Sequence, residues 1–61
     1  SGREREVLGL LAHGSSNAEI ANQLYVSTET VKTHVAHVLR KLDVPNRSSA
    51  VEKATRLGLL V

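Results

Sequence analysis

The sequence predicts an all-α fold, a compact domain of four short helices. Apolar residues recur at helical spacing in four segments, and no segment shows the alternation that is typical of a strand. The apolar residues are almost entirely aliphatic: nine Leu, eight Val and six Ala accompany a single aromatic residue. Core layers built from such side chains are thin, which favours short packed helices over a β-sandwich.

The chain length and the missing cysteines exclude several classes of protein. A chain of 61 residues buries only about 60% of the surface that its unfolded form exposes, so a large enzyme cleft is excluded. Without cysteine it can form neither a disulfide nor a zinc-thiolate site. No apolar run reaches the roughly 20 residues of a membrane span, and no segment is typical of a signal peptide. We expect a soluble, cytoplasmic domain that occupies residues 1–61 and does not contact a membrane.

The first two helices are each predicted to begin at a capping box, in which a Ser and the Glu three residues later cap the helix reciprocally. Ser1 and Glu4 form the first box, and Ser16 and Glu19 form the second. Gly14 ends the first helix in a position that tolerates positive φ. The predicted inward residues are Val7, Leu8, Leu10 and Leu11 in the first helix and Ile20, Ala21 and Leu24 in the second.

The third helix, over about 28–42, has the clearest apolar pattern. Ser27 is its predicted cap, and Asp43, Val44 and Pro45 stop it, because proline cannot continue the hydrogen-bond ladder. The predicted inward stripe is Val31, Val35, Val38, Leu39 and Leu42.

The fourth helix is predicted to begin at Ser48 or Ser49, since Ser49 and Glu52 also fit a capping box. Gly58 and Leu59 are typical of a Schellman ending. The predicted inward residues of this helix are Ala50, Val51, Ala54 and Leu57.

The second and third helices form a helix-turn-helix pattern. Only Tyr25 and Val26 separate the second helix from the cap of the third, and Ala21 is small enough to let the two helices cross closely. In such a motif the latter of the two helices, here the third helix of the chain, lies in the major groove of DNA. A purely structural α-hairpin is the alternative that the pattern leaves open.

The charge distribution also favours a polyanionic partner. Residues 1–31 carry two basic and four acidic residues, a net charge of −2, whereas residues 32–61 carry six basic and two acidic residues, a net charge of +4. Positive charge that is concentrated in one region is typical of proteins that bind nucleic acid.

Five short motifs give the sequence a family resemblance. In chain order they are REREVL, SNAEIA, STETVKTHV, RKL and NRSSAV. With these motifs the sequence resembles the DNA-binding domain of the LuxR/NarL (FixJ-like) family of bacterial transcriptional regulators. The resemblance implies four helices, of which the fourth serves dimerisation on DNA. It also implies a domain excised from a longer regulator, such as the response regulator of a two-component system.

The face of the third helix opposite its apolar stripe is predicted to read base edges. Lys32 can donate to guanine O6 or N7, Thr33 can reach an acceptor or touch a thymine methyl, and Ala36 offers a methyl contact. Glu29 either accepts from cytosine N4 or repels phosphate and so excludes wrong registers. The resemblance implies base contacts at Lys32, Thr33 and Ala36. Several relatives carry a long polar or basic residue at the position of Ala36, which implies weaker readout there.

Phosphate contacts are predicted mainly at the N-termini of the second and third helices, where backbone N–H groups attract anions. Ser16 can cap its helix and contact phosphate at the same time. For His34, Lys41 and Arg47 a structural role stays open, and Arg47 can instead pair with a carboxylate such as Glu19. The predicted phosphate contacts are Ser16, Asn17, Thr28, Thr30, His34 and Arg40.

The fourth helix is predicted to pair two copies of the domain on DNA. Its outward residues are polar, so we expect the free domain to be mostly monomeric. The predicted interface residues are Ser49, Glu52, Lys53 and Arg56.

A metal or catalytic function is not predicted. His34 and His37 lie three residues apart on one helical face, but no third ligand is predicted nearby and no HExxH motif is present. No nucleophile, base and carboxylate occur at a catalytic spacing. We expect no cofactor and no enzyme activity.

We therefore expect a domain that binds double-stranded DNA as a homodimer and regulates transcription by recruiting or blocking RNA polymerase. A helical protein-interaction or dimerisation module without DNA affinity is the alternative from another class. A protein-docking helix would expose an apolar stripe, whereas the third helix begins with charged and polar residues. A promoter-reading domain of a sigma-like factor is the alternative within the DNA-binding class.

Overall fold

The computed structural model describes residues 2–59, which form four helices and no strand. The helices are α1 (Gly2–Ala12), α2 (Asn17–Leu24), α3 (Thr28–Leu42) and α4 (Arg47–Arg56). The prediction of an all-α domain of four helices is confirmed. The predicted span of α3 is also confirmed.

The starts of α2 and α3 follow the predicted caps. The Ser16 N–H donates to Glu19 Oε1 over 2.8 Å, and the Glu19 N–H donates to Ser16 Oγ over 3.2 Å, which completes the capping box. At α3, Ser27 Oγ accepts from the Thr30 N–H over 3.1 Å. The box predicted at Ser1 lies outside the described residues.

The start of α4 differs from its prediction. The cap is Asn46, whose Oδ1 accepts from the Ser49 N–H over 2.9 Å. Ser48 and Ser49, the two predicted caps, lie instead in the first turn of the helix. Asn46 has an extended backbone directly after Pro45, and this conformation lets its side chain reach the third amide of the helix.

All four helices end in the same backbone motif. A residue with positive φ follows each helix, and the next N–H donates to the carbonyl five residues earlier, which is the Schellman pattern. The predicted endings at Gly14 and Gly58 are confirmed. The residues with positive φ are Gly14, Tyr25, Asp43 and Gly58.

The core lies around α3, which packs against α1, α2 and α4, while α1 also packs against α4. The predicted stripe of α3 is buried at Val31, Val35 and Val38 and half-buried at its two leucines. Leu57 was predicted to face inward, but its side chain is 57% exposed because it follows the last turn of α4. The buried apolar cluster consists of Val7, Leu8, Leu11, Ile20, Ala21, Val31, Val35, Val38 and Ala54.

Candidate nucleic-acid interface

Two tightly joined helices present the candidate interface. Tyr25, Val26 and Ser27 connect α2 to α3, and the Val26 N–H closes the turn by donating to the Ala21 carbonyl over 3.0 Å. Ala21 is buried, as its predicted place at the helix crossing requires. Tyr25 has a left-handed backbone and a side chain that is 95% exposed. Its place in the turn was predicted, but the exposure of the aromatic ring was not.

The four residues predicted to contact bases share one surface. They are exposed and lie on the helix face opposite the buried valines, along the first turns of α3. We call this exposed, mostly polar face of α3 the polar strip. The major groove of DNA is wide enough to admit a helix that presents such a face. These residues are Glu29, Lys32, Thr33 and Ala36.

Polar groups on this strip bond to one another within the helix. Lys32 Nζ lies 3.3 Å from Glu29 Oε1, and both side chains are mostly exposed. Thr33 Oγ1 donates to the Glu29 carbonyl over 3.2 Å. Since a hydroxyl has one proton and two lone pairs, Thr33 presents an acceptor and a methyl group outward in this arrangement. An exposed i,i+3 ion pair is worth only about 0.5 kcal/mol, so a base edge can displace it at little cost.

The N-termini of α2 and α3 present further donors. Ser16 and Thr28 are exposed, and Asn17 is half-buried as the first residue of α2. The first N–H groups of any helix lack partners within that helix. Thr30 is exposed, and its hydroxyl lies 3.0 Å from Ser27 Oγ.

The two remaining residues that were predicted to contact phosphate both lie in α3. Arg40 is exposed and lies seven residues after Thr33, which places both on the same side of α3. His34 is half-buried, on the flank of the exposed strip.

Arg47 connects α4 to the turn before α2. Its Nη1 donates to Asn17 Oδ1 over 2.6 Å, and its Nη2 donates to the Ser15 carbonyl over 2.7 Å. The sequence left open a pairing of Arg47 with Glu19, but the Glu19 carboxylate is bound in the capping box of α2 instead. These contacts join residues about 30 positions apart, so no local signal could reveal them.

Lys41 and His37 connect α3 to α1. Lys41 Nζ lies 2.7 Å from Glu4 Oε1, and His37 Nδ1 lies 3.6 Å from Glu4 Oε2. The hydrogen bond from Lys41 lowers the pKa of Glu4, and the same bond raises the pKa of Lys41. The sequence left open whether Lys41 contacts phosphate or has a structural role. The contact with Glu4 gives Lys41 a partner inside the fold.

The four residues predicted for dimerisation divide into two groups. Glu52 and Arg56 are exposed and pair at 3.7 Å along α4. Ser49 is half-buried in the first turn. Lys53 was predicted to face outward, but it is half-buried and donates to the Leu42 carbonyl over 2.6 Å, so its ammonium caps the end of α3.

Two further properties concern the described part of the chain. Within residues 2–59, no group of three His, Asp or Glu side chains is arranged to hold a metal ion. None of the helices described there is long and apolar enough to cross a membrane.

The fold and the exposed polar start of its third helix define a helix-turn-helix domain. The chain belongs to the luxR family of bacterial regulatory proteins, because the family described as "Bacterial regulatory proteins, luxR family" matches residues 1–54. This family consists of DNA-binding transcription regulators and is not a class of enzymes. The resemblance predicted from the five motifs is thereby confirmed.

Three similar proteins illustrate the range of this family. The transcriptional regulatory protein LiaR of Bacillus subtilis is 46% identical over 58 residues, which cover 95% of this chain and 28% of LiaR. The structure of the transcription factor GerE has a TM-score of 0.90 and 41% identity, and the match covers 100% of this chain and 91% of GerE. The response regulator ChrA, from a heme-sensing two-component system, has a TM-score of 0.94 and 43% identity over 98% of this chain and 30% of ChrA.

The chain spans a small part of most of these relatives. It corresponds to 28% of LiaR, and to 6% of other regulators that it matches at 47–49% identity. The similarity therefore concerns the helix-turn-helix domain.

Proposed function

We propose that this chain is the output domain of a response-regulator-type transcription factor and binds double-stranded DNA through α3. The observation that carries the proposal is the exposed polar strip on α3, which stands directly opposite the buried valines of the same helix. A helix whose other face is fixed in a core can enter a groove without rearrangement. An interface for another protein would instead favour apolar side chains on this face.

Base readout is assigned to the strip. Lys32 exchanges its bond with Glu29 for guanine O6 or N7 at the preferred site. Thr33 accepts from an exocyclic amine or touches a thymine methyl, and Ala36 contacts a methyl group. Glu29 repels phosphate or accepts from cytosine N4.

Register on the duplex is assigned to phosphate contacts. The N-termini of α2 and α3 both present N–H groups and short polar side chains, and helix N-termini favour anions. Arg40 follows the groove-facing strip by two turns, where a straight helix leaving the groove passes the backbone. The proposed contacts are Ser16, Asn17, Thr28, Thr30, His34 and Arg40.

Dimerisation on DNA is assigned to α4. Glu52 and Arg56 are the exposed pair, and two such pairs related by a twofold axis can exchange partners. Ser49 and the aliphatic part of Lys53 complete the interface. Symmetric half-sites would then lie about one helical turn apart, and the bound dimer would recruit or block RNA polymerase.

Titrations of single variants test the groove assignment. Lys32→Ala should weaken binding to the preferred duplex by about 1–3 kcal/mol and binding to a scrambled duplex much less, because it removes one base contact. Arg40→Ala should weaken both duplexes similarly and flatten the log–log salt dependence by about one unit. The preferred duplex is first obtained by selection from randomised DNA.

Two outcomes would overturn the assignment. If selection enriches no sequence and the domain binds no duplex at low salt, the proposed function is wrong. If Lys32→Ala weakens both duplexes equally, Lys32 contacts phosphate, and base readout belongs to Thr33 or Glu29.

Sedimentation tests the role of α4. The free domain should be mostly monomeric at micromolar concentration, since the proposed interface is polar, and two copies should assemble on a duplex with two half-sites. A tight dimer without DNA would contradict this assignment.

A further inference from the structure

We propose that Arg47 is a positioning residue for DNA phosphate, because it holds the Asn17 side chain in the orientation that a phosphate needs. The inference rests on the proposed function and adds a residue that does not itself touch DNA. Its basis is a half-buried contact between the first residue of α4 and the first residue of α2.

One guanidinium serves two acceptors in this contact. Arg47 Nη1 donates to Asn17 Oδ1 over 2.6 Å, and Arg47 Nη2 donates to the Ser15 carbonyl over 2.7 Å. The fork of the guanidinium is planar and rigid, so two simultaneous bonds fix the Asn17 carboxamide relative to the turn before α2.

The direction of the bond decides what Asn17 can offer. Its carboxamide oxygen accepts from Arg47, so the amide NH₂ group, with two protons, faces away from the guanidinium. The N-terminal amides of α2 point out of the helix at the same place. Asn17 therefore presents donors, and no acceptor, toward an anion in front of α2.

The charge of Arg47 also favours an anion in front of α2. Among the described residues no carboxylate forms an ion pair with Arg47, and the carboxylate nearest in sequence to this site, Glu19, is held by the Ser16 N–H. The positive charge of Arg47 stands close behind the positive end of the α2 dipole. Both favour a phosphate at the same point, and half-burial reduces the screening of Arg47 by salt.

A double-mutant cycle tests the proposal with DNA affinity as its readout. The variants are Asn17→Ala, Arg47→Lys and the two combined, titrated with the preferred duplex well below their melting temperatures. Arg47→Lys keeps the charge but loses the fork that binds two acceptors. Val51→Ala is the matched control, since Val51 lines the same cleft between α4 and the α1–α2 turn and its truncation weakens packing without touching Asn17.

The two single variants should each weaken DNA binding by roughly three- to tenfold, the value of one hydrogen bond. The double variant should be no weaker than Asn17→Ala alone, because Arg47 acts through Asn17. Val51→Ala should lower the melting temperature and leave the affinity within about twofold.

A further variant keeps the test valid if Arg47→Lys fails to fold. Asn17→Asp should raise the melting temperature, because a carboxylate pairs with Arg47 and suits a helix N-terminus. It should nevertheless weaken DNA binding by more than tenfold, because it replaces a donor with a negative charge.

Three outcomes would overturn the proposal. Affinity losses that add in the double variant would mean that Arg47 acts independently of Asn17. A melting temperature lowered by Arg47→Lys with unchanged affinity would mean a purely structural role. If Asn17→Ala or Asn17→Asp leaves the DNA affinity unchanged while Lys32→Ala weakens it, the domain binds DNA but the proposed phosphate contact at the N-terminus of α2 is wrong. Failure of the wild-type domain to bind any duplex overturns the proposed function itself.

Discussion

The two halves of α3 hold their polar side chains in different ways. In the N-terminal half, residues 28–36, Lys32 pairs with Glu29 and Thr33 bonds to the Glu29 carbonyl, so both side chains have their partner within the helix. In the C-terminal half, residues 37–42, Lys41 and His37 contact Glu4 of α1. The Leu42 carbonyl in that half accepts from Lys53 of α4.

The difference shows that basic residues on one helix need not share a role. A lysine whose partner lies three residues away can exchange it for DNA without disturbing the packing of the helices. A lysine whose partner lies on another helix stabilises the fold, and it must give up that contact to bind anything else. We therefore expect Lys32 to serve recognition and Lys41 to serve stability, although both are exposed lysines.

The turns at the two ends of α3 differ in backbone strain. Both contain a residue other than glycine with a left-handed backbone: Tyr25 has φ of 58° before α3, and Asp43 has φ of 56° after it. Aspartate tolerates this conformation better than tyrosine does. The turn before α3 is thus the more strained of the two.

The largest expected effect concerns the core that both halves share. Val35→Ala should lower the free energy of unfolding by about 1–3 kcal/mol, because it removes two buried methyl groups and leaves a cavity. Thermal melts measure the loss, and Ala36→Ser at the exposed neighbouring position is the control, expected to change stability by less than about 0.5 kcal/mol. Coincident melts of Val35→Ala and wild type would mean that the stripe carries little of the stability.

A substitution in the turn before α3 should increase the free energy of unfolding by an intermediate amount. Tyr25→Gly should stabilise the domain by about 1 kcal/mol, because glycine adopts positive φ without a Cβ penalty and the tyrosine ring is 95% exposed. Asp43→Gly should give a smaller gain. Chemical denaturation of the two variants compares them, and a larger gain for Asp43→Gly would reverse the assignment of strain.

The smallest effect is a pH dependence in the C-terminal half. The folded pKa of Glu4 is lowered, so its bond with Lys41 contributes stability above the ordinary glutamate pKa and loses it as the pH falls through the lower folded value. Melts between about pH 3 and pH 7 should show a decline on the acid side that is shallower in Glu4→Gln. The same acid decline in Glu4→Gln would show that other carboxylates cause it.

Local signals predicted most of the fold. The caps Ser16 and Ser27, the endings at Gly14 and Gly58 and the valine stripe of α3 all depend on residues within one or two turns of each other. The start of α4 was ambiguous for a local reason, since three of the residues from Asn46 to Ser49 can cap a helix. Only the extended backbone after Pro45 selects Asn46.

The tertiary polar contacts could not be predicted in this way. Arg47 meets Asn17, Lys41 meets Glu4 and Lys53 meets the end of α3 only because of how the helices cross. The exposed strip on α3 was predictable because its residues follow from the opposite apolar stripe. What each charged residue does depends on the partner, and the partner is a property of the packing.

A paired comparison of Lys32→Ala and Lys41→Ala tests the central distinction most directly. Each variant is melted and titrated with the preferred duplex in the same buffer. Lys32→Ala should leave the melting temperature almost unchanged and weaken DNA binding at least fivefold, whereas Lys41→Ala should lower the melting temperature and leave affinity within about threefold. If Lys41→Ala weakens DNA binding as much as Lys32→Ala and melts like the wild type, the assignment of Lys32 to recognition and of Lys41 to stability is wrong.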